Sequence, residues 1–384
     1  MNKVAILTQP LHDNYGGLLQ AYALKTTIRS LGFNPIIVNR QAGKINPVRG
    51  ILSRLKRLIL NRKVNRNSKQ ILTEYQKLLI SEKTAGFRSY YIPELTSLIN
   101  TQRGIKKLLN EGIDAYVVGS DQCWRPRYSP CISNYFLDFA KRADNVKRIS
   151  YAASFGVEKW EFTEKQTKEC KSLLAMFDAV SVREDDGVDL VRKYLGRSDA
   201  LHVIDPTMLL YRDSYRRLTE EGQVKNSDGN LKVYILDRSA QSENFVQVVS
   251  DHLNLKPFEV MPKKRLAEEE VTDENVEFFK YPCPSQWLKG FQDAEFIITD
   301  SFHGTVFSIL NNKPFIALGN EMRGMSRFKS LLRMFGLQDR LVLSPSLDRT
   351  KSLIDQDIDW LKVNAILDCE RAKALHYLKE NLER

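Results

Sequence analysis

Short apolar runs alternate with stretches of helical periodicity along the whole chain, a pattern that predicts an α/β fold with mainly parallel strands. In the first half the strand candidates are Val4–Leu7, Asn34–Val38, Ala115–Val118, Arg148–Ala152, Ala179–Val182 and His202–Ile204. Helices are predicted between them at Gly17–Ser30, Glu164–Met176 and Asp185–Tyr194. A polar stretch rich in turn residues, Glu220–Asn230, then interrupts the pattern. Beyond it the alternation restarts with strands at Lys232–Leu236, Phe258–Val260, Phe296–Ile298 and Phe315–Ala317. The helices predicted here are Ser242–Leu253, Pro284–Phe291, Thr305–Leu310 and Arg327–Phe335, and one long helix over Asp359–Arg384. The expected organisation is an N-terminal domain over 1–221, a linker over 222–230 and a C-terminal domain over 231–384. Two Rossmann-like domains whose strands end toward each other share one cleft, because ligands sit at the carboxyl ends of parallel strands.

Composition adds limits to this picture. The 384 residues are 42% hydrophobic and 27% charged, which suits a folded chain of two domains rather than a disordered one. No apolar run approaches the ~18 residues of a membrane span, and the first residues are too briefly apolar for a signal peptide, so a cytoplasmic protein is expected. Five cysteines without a CxxC pair argue against a disulfide framework or a structural zinc site, and read as small buried thiols.

The charge is uneven. The net charge is +11, yet ten basic residues and no acidic one fall between Arg40 and Thr73, so the rest of the chain is close to neutral. Within this insertion, about 40–73, Ile51, Leu52, Leu55, Leu58 and Ile59 recur at helical spacing. The pattern predicts an amphipathic basic helix, which can lie on an anionic membrane or dock on its own domain. Without interleaved aromatics for base stacking, the patch is poorly suited to nucleic acid.

Three segments put polar residues between a strand and a helix, where chemistry is expected. The first, Thr8–Leu18, contains Asn14, Gly16 and Gly17; paired glycines let a helix amino terminus approach an anion. Its spacing matches neither GxGxxG nor a P-loop. The second, Val117–Trp124, ends a buried strand in Gly119-Ser120-Asp121, where Asp121 is either a base or hydroxyl ligand, or a helix cap. The third, Phe296–Thr305, carries Asp300, Ser301, His303 and Gly304. An imidazole is the side chain best suited to exchange protons near neutral pH, and His303 is the histidine placed in the cleft of the second half. Arg183, after the strand 179–182, and Arg327, after the strand 315–317, could converge on carboxylate or phosphate oxygens; structural ion pairs are the plainer explanation for either alone.

Taken in order, seven segments resemble the polysaccharide pyruvyl transferase family: Asp13–Gln20, Gly119–Gln122, Ser150–Ser154, Ser181–Glu184, Asp205–Thr207, Thr299–Gly304 and Ser326-Arg327. The resemblance implies a fold similar to B-type glycosyltransferases and transfer of pyruvate from phosphoenolpyruvate onto two hydroxyls of a sugar, as a cyclic ketal. Under it, Arg183 and His303 are the expected donor-binding and catalytic positions, and the placement of Asp121 at a strand end makes it the second catalytic candidate. Arg183, Asn14, Gly16, Gly17, Ser301, Gly304 and Arg327 are expected around the donor, and Ser120 and Asp300 around the acceptor. Some family members carry a basic residue where this chain has Ser301, so Arg327 is the expected second cation. Neither metal nor redox cofactor is expected; the partners are phosphoenolpyruvate and a sugar in a polysaccharide or its lipid-linked precursor. A B-type glycosyltransferase using a nucleotide sugar is the alternative.

Overall fold

A computed structural model describes residues 2–43, 72–266, 269–319, 324–343 and 347–383. The predicted basic helix falls on 44–71, outside the described residues.

The amino-terminal half is built on four parallel strands in the order β2-β1-β3-β4: β1 Lys3–Leu7, β2 Asn34–Ile37, β3 Ala115–Val118 and β4 Lys147–Ser150. All four residues of β3 are buried, so its apolar run has no polar alternation, as expected for a strand covered on both faces. A short parallel pair, β5 Ser181–Val182 and β6 Leu201–His202, joins the edge through the bridges Ile149↔Ala179 and Ala153↔Val182. The carboxyl-terminal half has five parallel strands, ordered β11-β10-β9-β7-β8. They are β7 Leu231–Tyr234, β8 Pro257–Phe258, β9 Phe296–Thr299, β10 Phe315–Leu318 and β11 Leu341–Val342. Strand order reverses between β1 and β3 in one sheet and between β7 and β9 in the other. Those are the points where open parallel sheets form ligand crevices. The sequence segments carrying Ser120-Asp121 and Asp300–His303 leave the sheets at these two points.

The two halves share one hydrophobic core. Tyr15, in the helix Tyr15–Ser30, stacks on Trp287 of the helix Pro284–Asp293, with ring centroids 5.5 Å apart. The last helix, Trp360–Glu383, follows the second sheet in sequence but returns to the first: the Tyr377 hydroxyl donates to Ser150 O at 2.8 Å, and Arg371 Nε to Met208 O at 2.9 Å. The helix Glu74–Tyr91 ties the halves from the other direction. Its Ile80 carbonyl accepts from the Tyr281 N–H at 3.0 Å, and its Glu82 meets Lys280 at 3.1 Å. The cysteine expectation needs one correction: Cys123 and Cys170 are buried, but Cys369 is exposed on the outer face of the last helix.

Candidate active site

The amino-terminal wall is fixed by a relay of buried polar groups. Gln20 donates to Thr8 Oγ1 at 2.7 Å, Thr8 donates to Ser120 O at 2.9 Å, and Ser120 N–H donates back to Gln20 Oε1 at 3.2 Å. The Ser120 hydroxyl is itself committed to Ala152 O at 2.8 Å, and the residue is wholly buried. Ser120 therefore holds the turn together and presents no free group to a ligand. Gly119 allows the turn: its φ is +138°, and a Cβ there would lie 1.9 Å from Tyr151 O. The chain leaves this turn with Asp121 at φ +68°, its carboxylate directed to Arg183.

Arg183 is the hub of the site. Its side chain is 1% exposed, with Nη1 2.9 Å from Asp205 Oδ2, Nη2 3.3 Å from Asp121 Oδ1 and Nε 3.3 Å from Glu184 Oε1. The guanidinium also stands 4.5 Å from the centre of the Phe302 ring. Burial opposes its charge, but Glu184, Asp205 and Asp121 outweigh burial and hold it firmly protonated. Glu184 is pushed the other way: burial raises its carboxyl above the usual range, against Arg183 and the Ser154 hydroxyl. In Asp205, too, burial favours the neutral acid. There His303, Arg183 and the Thr207 N–H prevail and keep the carboxyl well below the usual range.

The opposite wall comes from the second half. Ser301 caps the helix Phe302–Leu310 by accepting from Gly304 N–H at 3.4 Å. This places His303 in the first turn, 7% exposed, with Nε2 3.5 Å from Asp205 Oδ2. That nitrogen is buried and lacks a hydrogen bond among the described residues. The other edge of the ring lies on Gly16, where a Cβ would come 2.0 Å from Nδ1. Gly16 thus opens the helix Tyr15–Ser30 to the imidazole, while Asn14 caps that helix by accepting from Gly17 N–H at 3.3 Å. Gly304 serves a similar end, since a Cβ there would be 2.1 Å from Thr299 Oγ1. We expect Gly16→Ala to displace the imidazole and lower turnover at least about tenfold with the fold retained, as misplacing a reacting group by ~1 Å can cost ~10²-fold. Gly17→Ala is its control, since a Cβ there would meet Asn14 only at an ordinary 3.5 Å. Equal loss in both variants, from parallel rates and melting curves, would remove the special role of Gly16.

Arg327, at the start of the helix Ser326–Phe335, completes the arrangement. Its guanidinium is 5.9 Å from the same Phe302 ring, so both arginines stand around one aromatic side chain. Burial first, and the neighbouring Arg183 charge second, push Arg327 down to about 10. The Ser326 hydroxyl reaches across to Asp186 Oδ1 at 2.6 Å, and Ser330 accepts from Asp185 N–H at 2.9 Å, holding Arg327 near the amino-terminal half. Asp300 is placed differently from its neighbours. Its two oxygens accept from Leu236 N–H at 2.7 Å and Asp237 N–H at 2.8 Å, which makes it a clamp on the loop after β7.

The structure therefore brings Asp121, Arg183, His303, Arg327 and Gly16 to one place, with Asn14, Gly17, Ser301 and Gly304 shaping its two helix ends. Ser120 and Asp300 support the walls from behind. Glu184, Asp205 and Phe302 were not foreseen as site residues, although Glu184 closes one motif segment and Asp205 opens another. The available signal was an acid two residues after β5, Glu184, and another three residues after β6, Asp205. Among the described residues no cluster of three or more His, Cys, Asp or Glu side chains could hold a metal ion. A cavity of about 660 Å³ lies along the seam between the halves and is lined by none of these site residues.

Comparison with known proteins gives the family and the fold. The model of the family described as polysaccharide pyruvyl transferase matches residues 14–322. No match is found among curated proteins. UDP-GlcNAc 2-epimerase from Neisseria meningitidis, solved with UDP-GlcNAc, superposes with a TM-score of 0.52 at 9% identity, covering 100% of this chain and 99% of that one. The S. aureus MnaA–UDP co-structure gives 0.50 at 13% identity, over 93% of this chain and 88% of that one. Arabidopsis thaliana UGT89C1 complexed with UDP gives 0.49 at 11% identity, with both chains covered in full. The fold is the two-domain α/β architecture shared with that UDP-GlcNAc 2-epimerase and with MnaA.

Proposed function

Because the chain belongs to the polysaccharide pyruvyl transferase family, a family of transferases, we propose that it transfers pyruvate from phosphoenolpyruvate to two hydroxyls of a sugar in a polysaccharide or its precursor. The observation that carries this reading is the pair of guanidiniums, Arg183 and Arg327, held around Phe302 next to a buried imidazole whose Nε2 has only the Asp205 carboxylate, 3.5 Å away, as a polar neighbour with a measured contact among the described residues. A small dianion with a polar, protonatable double bond matches both halves of that arrangement.

In the reaction His303 gives a proton to the methylene carbon of phosphoenolpyruvate, leaving an oxocarbenium-like centre at C2. A sugar hydroxyl adds there and loses its proton to a base, for which Asp121 is the candidate. Phosphate then leaves by cleavage of the C2–O bond, and the second hydroxyl closes the ketal. Of the two hydroxyl protons released, one restores His303 and the other leaves with phosphate. Asp205, kept ionised, faces the imidazole and orients it. Arg327 meets donor oxygens directly. Arg183 is already held by three carboxylates, and acts through the charge it adds beside them. Sugar hydroxyls and phosphoenolpyruvate meet in the cytoplasm in this reading, and the nine cations between Lys44 and Lys69 support contact with an anionic inner membrane face, whereas Arg40 is buried against Asn134 and belongs to the domain. Among the described residues no helix is long and apolar enough to cross a membrane.

A thermal-shift titration tests the donor. Phosphoenolpyruvate should raise the melting temperature progressively, since a ligand binding only the folded state adds about 2.7 kcal/mol at a hundred times its Kd. Arg327→Ala should abolish most of that shift. No response at millimolar phosphoenolpyruvate, with a clear response to a nucleotide sugar, would replace this reading by nucleotide-sugar glycosyl transfer.

A further inference from the structure

Arg183 and Arg327 come from different halves, so their spacing depends on what ties the helix Ser326–Phe335 to the segment after β5. One face of that helix is committed to the tie. Ser326, Ser330 and Arg333 recur at i, i+4 and i+7, and Arg327 lies three residues before Ser330, on the same side one turn earlier. Ser326 Oγ donates to Asp186 Oδ1 at 2.6 Å, and Arg333 Nη1 to Asp185 Oδ2, also at 2.6 Å. Ser330 is buried, and its Oγ accepts from the Asp185 N–H at 2.9 Å. These contacts reach the turn beyond Arg183. His202, at the end of β6, reaches the backbone of Arg183 itself: its Nε2 stands 3.1 Å from Arg183 O and 3.1 Å from Ser330 Oγ.

A carbonyl oxygen can only accept, so Nε2 carries a hydrogen, and Ser330 Oγ shares it in a three-centre bond. Burial lowers the imidazole below its ordinary value, against the nearby Asp185, and leaves Nε2–H as the one N–H of the ring near neutral pH. A single ring nitrogen thus joins the main chain of Arg183 in the first half to the helix bearing Arg327 in the second. The Arg183 side chain is already fixed by three carboxylates. Arg327 is the adjustable member of the pair, and its distance from Arg183 follows the helix that His202 holds. A misplacement of ~1 Å can cost a positioned group ~10²-fold, so a small slip of this helix is enough to spoil a two-point grip.

We propose that His202 is a positioning residue for the donor: by joining Arg183 O to Ser330, it sets the spacing of the two guanidiniums to fit one small anion that carries both carboxylate and phosphate. The inference rests on the donor side of the pyruvyl-transfer reading and adds to it a residue that touches no substrate.

Isothermal titration of the full chain with phosphoenolpyruvate, beside a melting curve for each variant, tests it. His202→Ala should weaken binding about tenfold. His202→Asn, whose shorter amide stops near the Nδ1 position, should match that loss. His202→Gln carries an N–H to the Nε2 position and should keep affinity within about twofold. Ser330→Ala should lose at least as much as His202→Ala, and the double variant no more than Ser330→Ala alone, since both residues act through one contact. Unchanged affinity in His202→Ala, equal losses in the Gln and Ala variants, or a double variant that loses the product of the two single effects would overturn the inference. Hydrogen exchange without ligand reads the same contact independently of the donor. In His202→Ala the amides of 326–335 should exchange at least about tenfold faster, and in His202→Gln as in the unaltered protein. If phosphoenolpyruvate does not bind the unaltered protein, the donor reading falls and the exchange pattern decides whether His202 holds the helix; unchanged exchange in His202→Ala would then overturn that role as well.

Discussion

His303→Ala is expected to lower turnover by about 10²–10⁴-fold, the usual contribution of a general acid–base group. The expectation follows from geometry. Helix capping by Ser301 and close approach at Gly16 bury the imidazole, and Nε2 is left without a hydrogen bond, 3.5 Å from Asp205 Oδ2. His303→Gln separates proton transfer from positioning, because the amide can hydrogen-bond but cannot deliver a proton near neutrality. Both variants should lose turnover to a similar extent while phosphoenolpyruvate still shifts the melting curve. Full turnover in the Gln variant would make His303 a positioning group and move the search for the acid to Asp121. Asp205→Asn provides a further check. It keeps the shape beside His303 but removes a charge that Arg183 needs, so both rate and stability should fall, the latter by roughly the 3–5 kcal/mol typical of a broken buried pair.

The sequence pattern carried the framework of the molecule because buried parallel strands are written as uninterrupted apolar runs. Ala115–Val118 is legible as a strand from its four letters, and Phe296–Thr299 extends the predicted run by one residue. The helix Glu74–Tyr91 left no comparable signal, since it buries only Gln76, Ile80, Thr84 and Phe87 and earns its place through contacts with residues nearly two hundred positions away. Strand β11, two residues long, is below what periodicity can register. For the site, strand ends and turn residues located His303, Arg183 and Asp121, since position at a carboxyl end is a property of the chain. Which way a side chain faces is not. Asp300 and Asp205 both follow strands, yet the first accepts two N–H groups from the loop after β7 and the second faces Arg183 and His303. Only the packing of β7 and β6 beside them decides that difference. Likewise Arg183 is visible as a cation after a strand, whereas the three carboxylates around it come from segments up to 62 residues away.

Lys232→Met is expected to stabilise the protein at neutral pH and to flatten its pH dependence above neutrality. Lys232 lies in the middle of β7, fully buried in a strand covered on both faces, where every position calls for an apolar residue. Its Nζ has no hydrogen bond among the described residues and stands 4.6 Å from the centre of the Phe291 ring, with Phe258 and Trp287 within 6 Å. The rings favour the cation modestly. Burial opposes it far more strongly and lowers the amine to about 7, with Asp293 giving only partial compensation. An unfolded chain holds the same proton up to the ordinary lysine value of 10.5. Between about pH 7 and 10 the unfolded state therefore binds one proton more than the folded state, and stability rises with pH across that window. At about 1.36 kcal/mol per unit, the full rise is on the order of 5 kcal/mol from this residue. Below pH 7 both states are protonated and the penalty of a buried charge is fully present. Met keeps the length of the side chain and its contacts with Phe291 and Trp287 without an ionisable group, so the variant should be more stable near pH 7 and converge with the parent near pH 10. Urea melts of both proteins at pH 7, 8.5 and 10 measure the difference directly. Parallel stability curves over that range would show that the Lys232 amine finds water or a counter-charge when buried, and that the aromatic box around it is not dry.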